Sequence, residues 1–200
     1  MAIKGLSVPV LGVYSNNNGT VTYANGRIFS HAVEYSFDAE SSDENPLYGD
    51  NRIVEHDSPA FTKGTLTVQT TNLSNEDSKY LLGLKEVTRT IGQREFTELV
   101  YDDDRTPKTF GFGIIELFQL NDTDGYRPVV FCRCTPNIPS DAATTKGEQV
   151  EWQTPEIEFT VVRSEQYDQS YHYPWKFSTE VATEADAILY LKNVLGVPEG

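Results

Sequence analysis

The sequence predicts a mainly β fold: an antiparallel β-sandwich or barrel-like domain with a short crossover helix and a C-terminal amphipathic helix. Apolar and polar residues alternate along about seven stretches, Asn-Gly and Asp-Gly pairs lie between some of them, and only two segments carry helical spacing with caps. Eleven Tyr, ten Phe and two Trp against a single Met point the same way, because aromatic side chains suit a half-buried pleated surface. At 200 residues the chain fits one domain and is long enough to bury a substantial core.

The first strand is expected in "KGLSVPVLGVY", ending at the turn "SNNNGT", Ser15 to Thr20, whose Asn-Gly pair favours a tight hairpin. "GRIFSHAVEYSF", Gly26 to Phe37, reads as one long half-buried strand with Ile28, Ser30, Ala32, Glu34 and Ser36 on one face. From Asp38 to Asp57 the chain is too polar at its start to pack and too long for a hairpin turn, so a long functional or mobile loop is expected. "KGTLTVQTT" resumes the strand pattern.

"SNEDSKYLLGL" is the first helix, with Ser74 as N-cap, Glu76 and Asp77 in its first turn and Gly83 to stop it. "REFTELVY", "KTFGFGIIELFQL", "YRPVVFCRC" and "EQVEWQTPEIEFTVV" are further strands, and the Asp-Gly pair of "LNDTDGY" predicts a hairpin between the second and third of these. A domain over residues 1–163 is thus followed by an aromatic-rich linker and a terminal helix, residues 164–200, packed on it. That helix has Thr183 as N-cap, Asp186 three residues on, an apolar face at Ala187, Ile188, Leu191, Val194 and Leu195, then Gly196 and Pro198.

The formal charge of −14 disfavours a conventional nucleic-acid binder or a partner of anionic membranes, since both need clustered Lys and Arg. The N-terminus has no export pattern and no apolar run is long enough to span a bilayer, so a soluble protein made in a cytoplasm is expected, with no membrane partner. Cys132 and Cys134 would point to one face of a strand with Cα atoms about 6.6 Å apart, poorly aimed for a disulfide, so two buried thiols are expected.

His31, His56 and His172 are scattered without ligand spacing, which leaves no metal site and no cofactor site to propose. Asp102, Asp103 and Asp104 read as a solvated turn. Gly111 and Gly113 lack the spacing of a phosphate cradle and are expected at a bend or a close approach of another backbone. No nucleophile is paired with a base, so no enzyme is expected. Trp152, Trp175 and the tyrosines keep a sugar-stacking β-sandwich module open as an alternative.

"TTKGEQVEWQTPEIEFTV", Thr144 to Val161, resembles a signature of the major tail proteins of long-tailed phages with non-contractile tails. "LYGDNRIVEHDSPAFTKGTLTVQTTNLSNEDSKYLLG" resembles that family's central block, and "TPKTFGFGIIELF" and "GYRPVVF" its following strands, so the likeness spans Leu47 to Val162. The resemblance implies a non-enzymatic tail-tube subunit that forms six-fold rings with copies of itself. The rings would stack around a tape-measure protein between distal-tail and tail-terminator proteins, assembling in the host cytoplasm and residing in the virion. Another tail component, distal-tail or baseplate, is the related alternative.

The resemblance further implies that Asp43, Glu44, Tyr48, Asp50 and Asn51, in the long loop, contact neighbouring subunits. If six subunits each give four strands to a closed barrel, a strand spacing of about 4.8 Å and a tilt of about 45° give a bore of roughly 40 Å inside the side chains, wide enough for a duplex about 20 Å across. A negative wall would let DNA pass without specific binding. Glu148, Glu151, Glu156 and Glu158 are the candidates for that wall. Alternation puts Glu151 on one face and the other three opposite, unless Pro155 marks a bulge, and a solvated outer face is equally open to them.

Overall fold

In the computed structural model, residues 2–43, 45–120, 122–138 and 154–198 are described. Along the chain they form β1 (Ala2–Asn17), β2 (Thr20–Ile28), β3 (Ala32–Ser41), β4 (Asn45–Gly49), β5 (Arg52–Asp57), β6 (Phe61–Thr70), α1 (Asn75–Leu82), β7 (Lys85–Ile91), β8 (Arg94–Val100), β9 (Phe110–Leu120), β10 (Thr123–Pro136), β11 (Glu156–Val161), β12 (Lys176–Ser178) and α2 (Glu184–Val194). The fold is mainly β and every strand pairing is antiparallel.

The main sheet has eight strands in the order β2-β1-β9-β10-β11-β6-β3, with β12 added beside β10. It folds over on itself through β10. Residues Thr123 to Phe131 of β10 pair with β9, a register shift follows between Phe131 and Cys134, and Cys134 to Pro136 then pair with β11. Such an irregularity bends a strand and lets it serve two layers. Phe112 and Phe131 of one layer meet Phe159 and Phe37 of the other, with ring centroids 6.0 Å apart for Phe112 and Phe159 and 4.8 Å for Phe131 and Phe37. Leu11, Leu66, Val68, Phe110, Ile114, Val129, Cys134 and Val161 complete this inner core.

The other face of β1, β9 and β10 carries α2. Ala187, Leu191 and Leu195 pack on Val10, Ile115 and Val130, so the helix presents the apolar stripe its spacing predicts. Gly111 and Gly113 face this side. A methyl at Gly113 would lie 2.7 Å from Leu195 Cδ1, and one at Gly111 would lie 2.8 Å from Leu195 Cδ2. A close approach explains these glycines, but side chains approach there, whereas the backbone carbonyl of Leu195 comes close over Gly12 and Gly26.

Both helix starts follow their sequence signals. Ser74 Oγ accepts from the Asp77 N–H and Thr183 Oγ1 from the Asp186 N–H, at 3.1 and 3.2 Å. Gly83, at φ 65°, ends α1 and donates to the Lys79 carbonyl. At the Asn-Gly turn both Asn18 and Gly19 have positive φ, as a tight hairpin between β1 and β2 requires.

Four expectations need correction. The stretch from Gly26 to Phe37 is not one strand: β2 ends at Ile28, the chain crosses at Phe29 to His31, and β3 begins on the opposite edge of the sheet. Both halves keep their alternation, so pattern alone hides the break. The Asp124-Gly125 pair lies inside β10, while the hairpin closes one step earlier, between Leu120 and Thr123, with Asp122 at φ 59°. Gly125 instead lets the Phe118 ring lie across it.

The presumed long loop is largely a hairpin. β4 and β5 pair around Asp50 and Asn51, at φ 50° and 63°, the left-handed pair that a two-residue turn of this kind demands. Lys85–Ile91, not anticipated as a strand, pairs with β8 as a second free-standing hairpin. Of the expected strand from Glu148 to Val162, Glu156–Val161 is β11, and residues 148–153 lie outside the described residues.

Candidate assembly interface

The layer β11-β6-β3 hides one face in the core and exposes the other. Cross-strand neighbours on the exposed face form rows: Glu156 beside Gln69 beside Glu34, then Glu158 beside Thr67 beside Ser36, then Thr160 beside Thr65 beside Asp38, and last Lys63 beside Glu40. Five carboxylates thus share a face with one ammonium, Lys63, which lies 3.4 Å from Glu40. Gln69 Nε2 donates to Glu156 at 3.2 Å, and Thr160 donates to Asn137 Oδ1 at 2.8 Å. The face is hydrophilic and negative.

β3 closes this layer, pairing with β6 on one side and with no other strand among the described residues. Among the described residues its outer edge, Ala32–Ser41, is unpaired. An open edge of this length is a template for another chain, and the acids along it are the usual protection against indiscriminate pairing. Inside the molecule β3 is held across the core by Tyr35. Its hydroxyl donates to the buried Glu116 carboxylate of β9, which Arg127 also approaches at 3.4 Å while reaching Glu180 at 3.0 Å. Burial, then the bond to Glu116, pushes the Tyr35 phenol well above its ordinary range.

The expected site residues that are described fall in two places. Glu156 and Glu158 are exposed on the acidic face together, while Glu148 and Glu151 lie outside the described residues. Asp43 is exposed just before β4, Tyr48 is exposed on β4, and Asp50 and Asn51 form the tip of the hairpin; Glu44 lies outside the described residues. Alternation in "EYSFDAE" could have found Glu34, Asp38 and Glu40, which the sequence reading did not place with the glutamates of β11.

The two hairpins leave the body of the molecule. β4 and β5 expose Tyr48, Ile53 and Val54, and β7 and β8 expose Val87, Ile91 and Phe96. On the second hairpin only the base reaches the core, through Leu99.

Other candidate chemistry resolves into structure. Cys132 and Cys134 are buried free thiols, and burial pushes the Cys132 thiol up to about 12. The register shift beside them breaks the simple alternation behind the one-face expectation. Lys85 lies 3.1 Å from Asp104 and 3.7 Å from Asp102, in an exposed turn. Among the described residues no group of three or more His, Cys, Asp or Glu is placed to hold a metal ion, and no helix is long and apolar enough to cross a membrane.

Trp175 stacks on Phe61 at 4.5 Å, next to Phe37, as part of the packing instead of a free sugar platform; Trp152 lies outside the described residues. The tyrosine-rich linker lies on its own chain. The Tyr167 N–H donates to the Gly19 carbonyl, and Asn16 and Arg133 bind Glu165 and hold its carboxyl below the usual range. No protein-family model and no curated protein matches the chain.

Proposed function

We propose that the protein is a structural subunit of a phage tail tube, which joins copies of itself into stacked rings through which DNA passes. The observation that carries the reading is the layer β11-β6-β3, whose exposed face holds Glu34, Asp38, Glu40, Glu156 and Glu158 against Lys63 and whose last strand ends in an open edge. Edge-to-edge pairing around a ring would satisfy that edge, and the acidic face turned inward would repel phosphates over a range of about 8–10 Å at ordinary salt. The likeness to major tail proteins over Leu47 to Val162 supports the same reading, with tape-measure, distal-tail and tail-terminator proteins as further partners.

A charge of −14 per subunit opposes premature association, so raising the salt concentration is expected to promote rings or tubes. Electron microscopy of the purified protein tests this directly. Rings or tubes support the reading. A protein that stays monomeric at high salt and never enters tail-like particles with other tail components defeats it.

One observation favours a second reading, a neutral-ligand binding module. A groove of about 420 Å³ between β2, the linker and α2 is lined by Tyr23, Tyr171, Phe177, Tyr190, Gln166 and Asn193, aromatic rings with uncharged hydrogen-bonding groups. Saturable binding on a glycan array, lost in Tyr171→Ala, would favour it.

A further inference from the structure

The hairpins β4–β5 and β7–β8 pose a physical problem. Each is a two-stranded sheet outside the main sheet, and an isolated two-stranded hairpin is marginal in water without a surface to cover its apolar side. Tyr48 and Ile91 are 65% and 61% exposed, too open for their own chain to be that surface.

The hairpins also differ in charge. On β7–β8 the opposed pairs Val87 and Glu98, Arg89 and Phe96, and Ile91 and Arg94 share one face, since alternate pairs point to the same side. That face mixes three apolar side chains with two guanidinium groups and one carboxylate, Glu98. Arg89 is paired with Glu98 at 2.8 Å, and Arg94 has no carboxylate within ion-pair reach among the described residues. In a chain with 30 acids and 16 bases, such a face is an exception. The β4–β5 hairpin is acidic by one among its described side chains, Asp50 and Glu55 against Arg52; Tyr48 and Ile53 oppose each other on one face next to the turn residue Asp50, and Glu55, opposite Leu47, falls on the other face. A register shift at Tyr48 leaves the consecutive Ile53 and Val54 both exposed.

We propose that the β7–β8 hairpin of one copy docks on the β4–β5 hairpin of a second copy, Phe96 and Ile91 covering Ile53 and Tyr48 while Arg94 faces Asp50. This rests on the self-assembly reading and names the contact that reading needs. The pairing is heterologous, one hairpin of each copy to the other hairpin of the next, so it propagates around a ring or along a stack. It also explains why each hairpin carries apolar residues that a monomer gains nothing by exposing.

Salt acts on both the net repulsion and this local attraction, so charge reversal is the better readout. In the full chain, Arg94→Glu is expected to abolish assembly seen by sedimentation velocity, with an unchanged far-UV spectrum. Adding Asp50→Lys to the same chain is expected to restore it. Independently, a Phe96→Cys copy mixed with an Ile53→Cys copy under mild oxidation should give a cross-linked heterodimer in preference to either homodimer, the native thiols being buried.

Absence of that heterodimer at any concentration overturns the proposal. So does normal assembly of the charge-reversed protein, a result that leaves the tube reading standing. A heterodimer from a protein that forms no ring or tube supports the hairpin contact and defeats the tube reading.

Discussion

The inner core and the two hairpins use the same residue types to opposite ends. In the core, Phe110, Phe112, Phe131 and Phe159 are buried between layers, and their area is the main favourable term in folding. On the hairpins, Phe96, Ile53 and Tyr48 stand in solvent and contribute little to a monomer. Apolar residues clustered where the fold does not hide them are candidates for contact with a partner. The comparison can be broken by showing that a core residue is dispensable or that a hairpin residue stabilises the monomer.

Phe112→Ala carries the largest expected effect. It empties the contact between the two layers and should lower the unfolding free energy by about 3–5 kcal/mol in a urea titration. Alkaline titration probes a buried thiol on β10. The Cys132 thiol ordinarily ionises near 9 and in the fold near 12, so its contribution to stability is whole below pH 9 and declines as pH rises from there towards 12. Loss of stability above pH 9, reduced in Cys132→Ala, is the expected result, measured by urea midpoints across that range.

Gly113→Val sharpens the comparison on the other face of the same strand. Its side chain would push Leu195 and Leu191 off β9, at an expected cost of about 1–3 kcal/mol, with α2 released first and detected by hydrogen exchange. Thr183→Ala removes only the N-cap of α2 and should cost about 1 kcal/mol. Smallest of all, Ile53→Ser and Phe96→Ser should each change the stability of the monomer by less than about 0.5 kcal/mol while suppressing assembly. A fall of several degrees in the monomer's melting temperature would place these residues in its own fold.

Much of this was legible in local pattern. Period-two alternation located β9 and β11, and the caps Ser74, Gly83 and Thr183 located both helices, because each signal is completed within a few residues of chain. The site was legible in part. Alternation placed Glu156 and Glu158 together, but their neighbours Glu34, Asp38 and Glu40 come from β3, more than a hundred residues away, through β6.

The errors have a common physical source. Nothing in "GRIFSHAVEYSF" says that the chain changes layers at Phe29 to His31, because each half satisfies its own alternation. Asp50 and Asn51 close a hairpin without the glycine that usually signals one, since Asp and Asn also tolerate positive φ. Of the glycines at 111 and 113, the sequence could say only that something comes close; that it is Leu191 and Leu195 of a helix some 80 residues on depends on how α2 docks.

By itself, then, the sequence determined both helices and several of the strands, which helix face is apolar, and how negative the chain is, all properties of nearby residues and composition. Tertiary structure decided which strands are neighbours, which end of the sheet stays open, where acids from distant strands form one face, and which apolar side chains are left outside. These depend on long-range pairing, where one residue of register or one crossover reassigns a whole face, and local pattern carries no record of that choice.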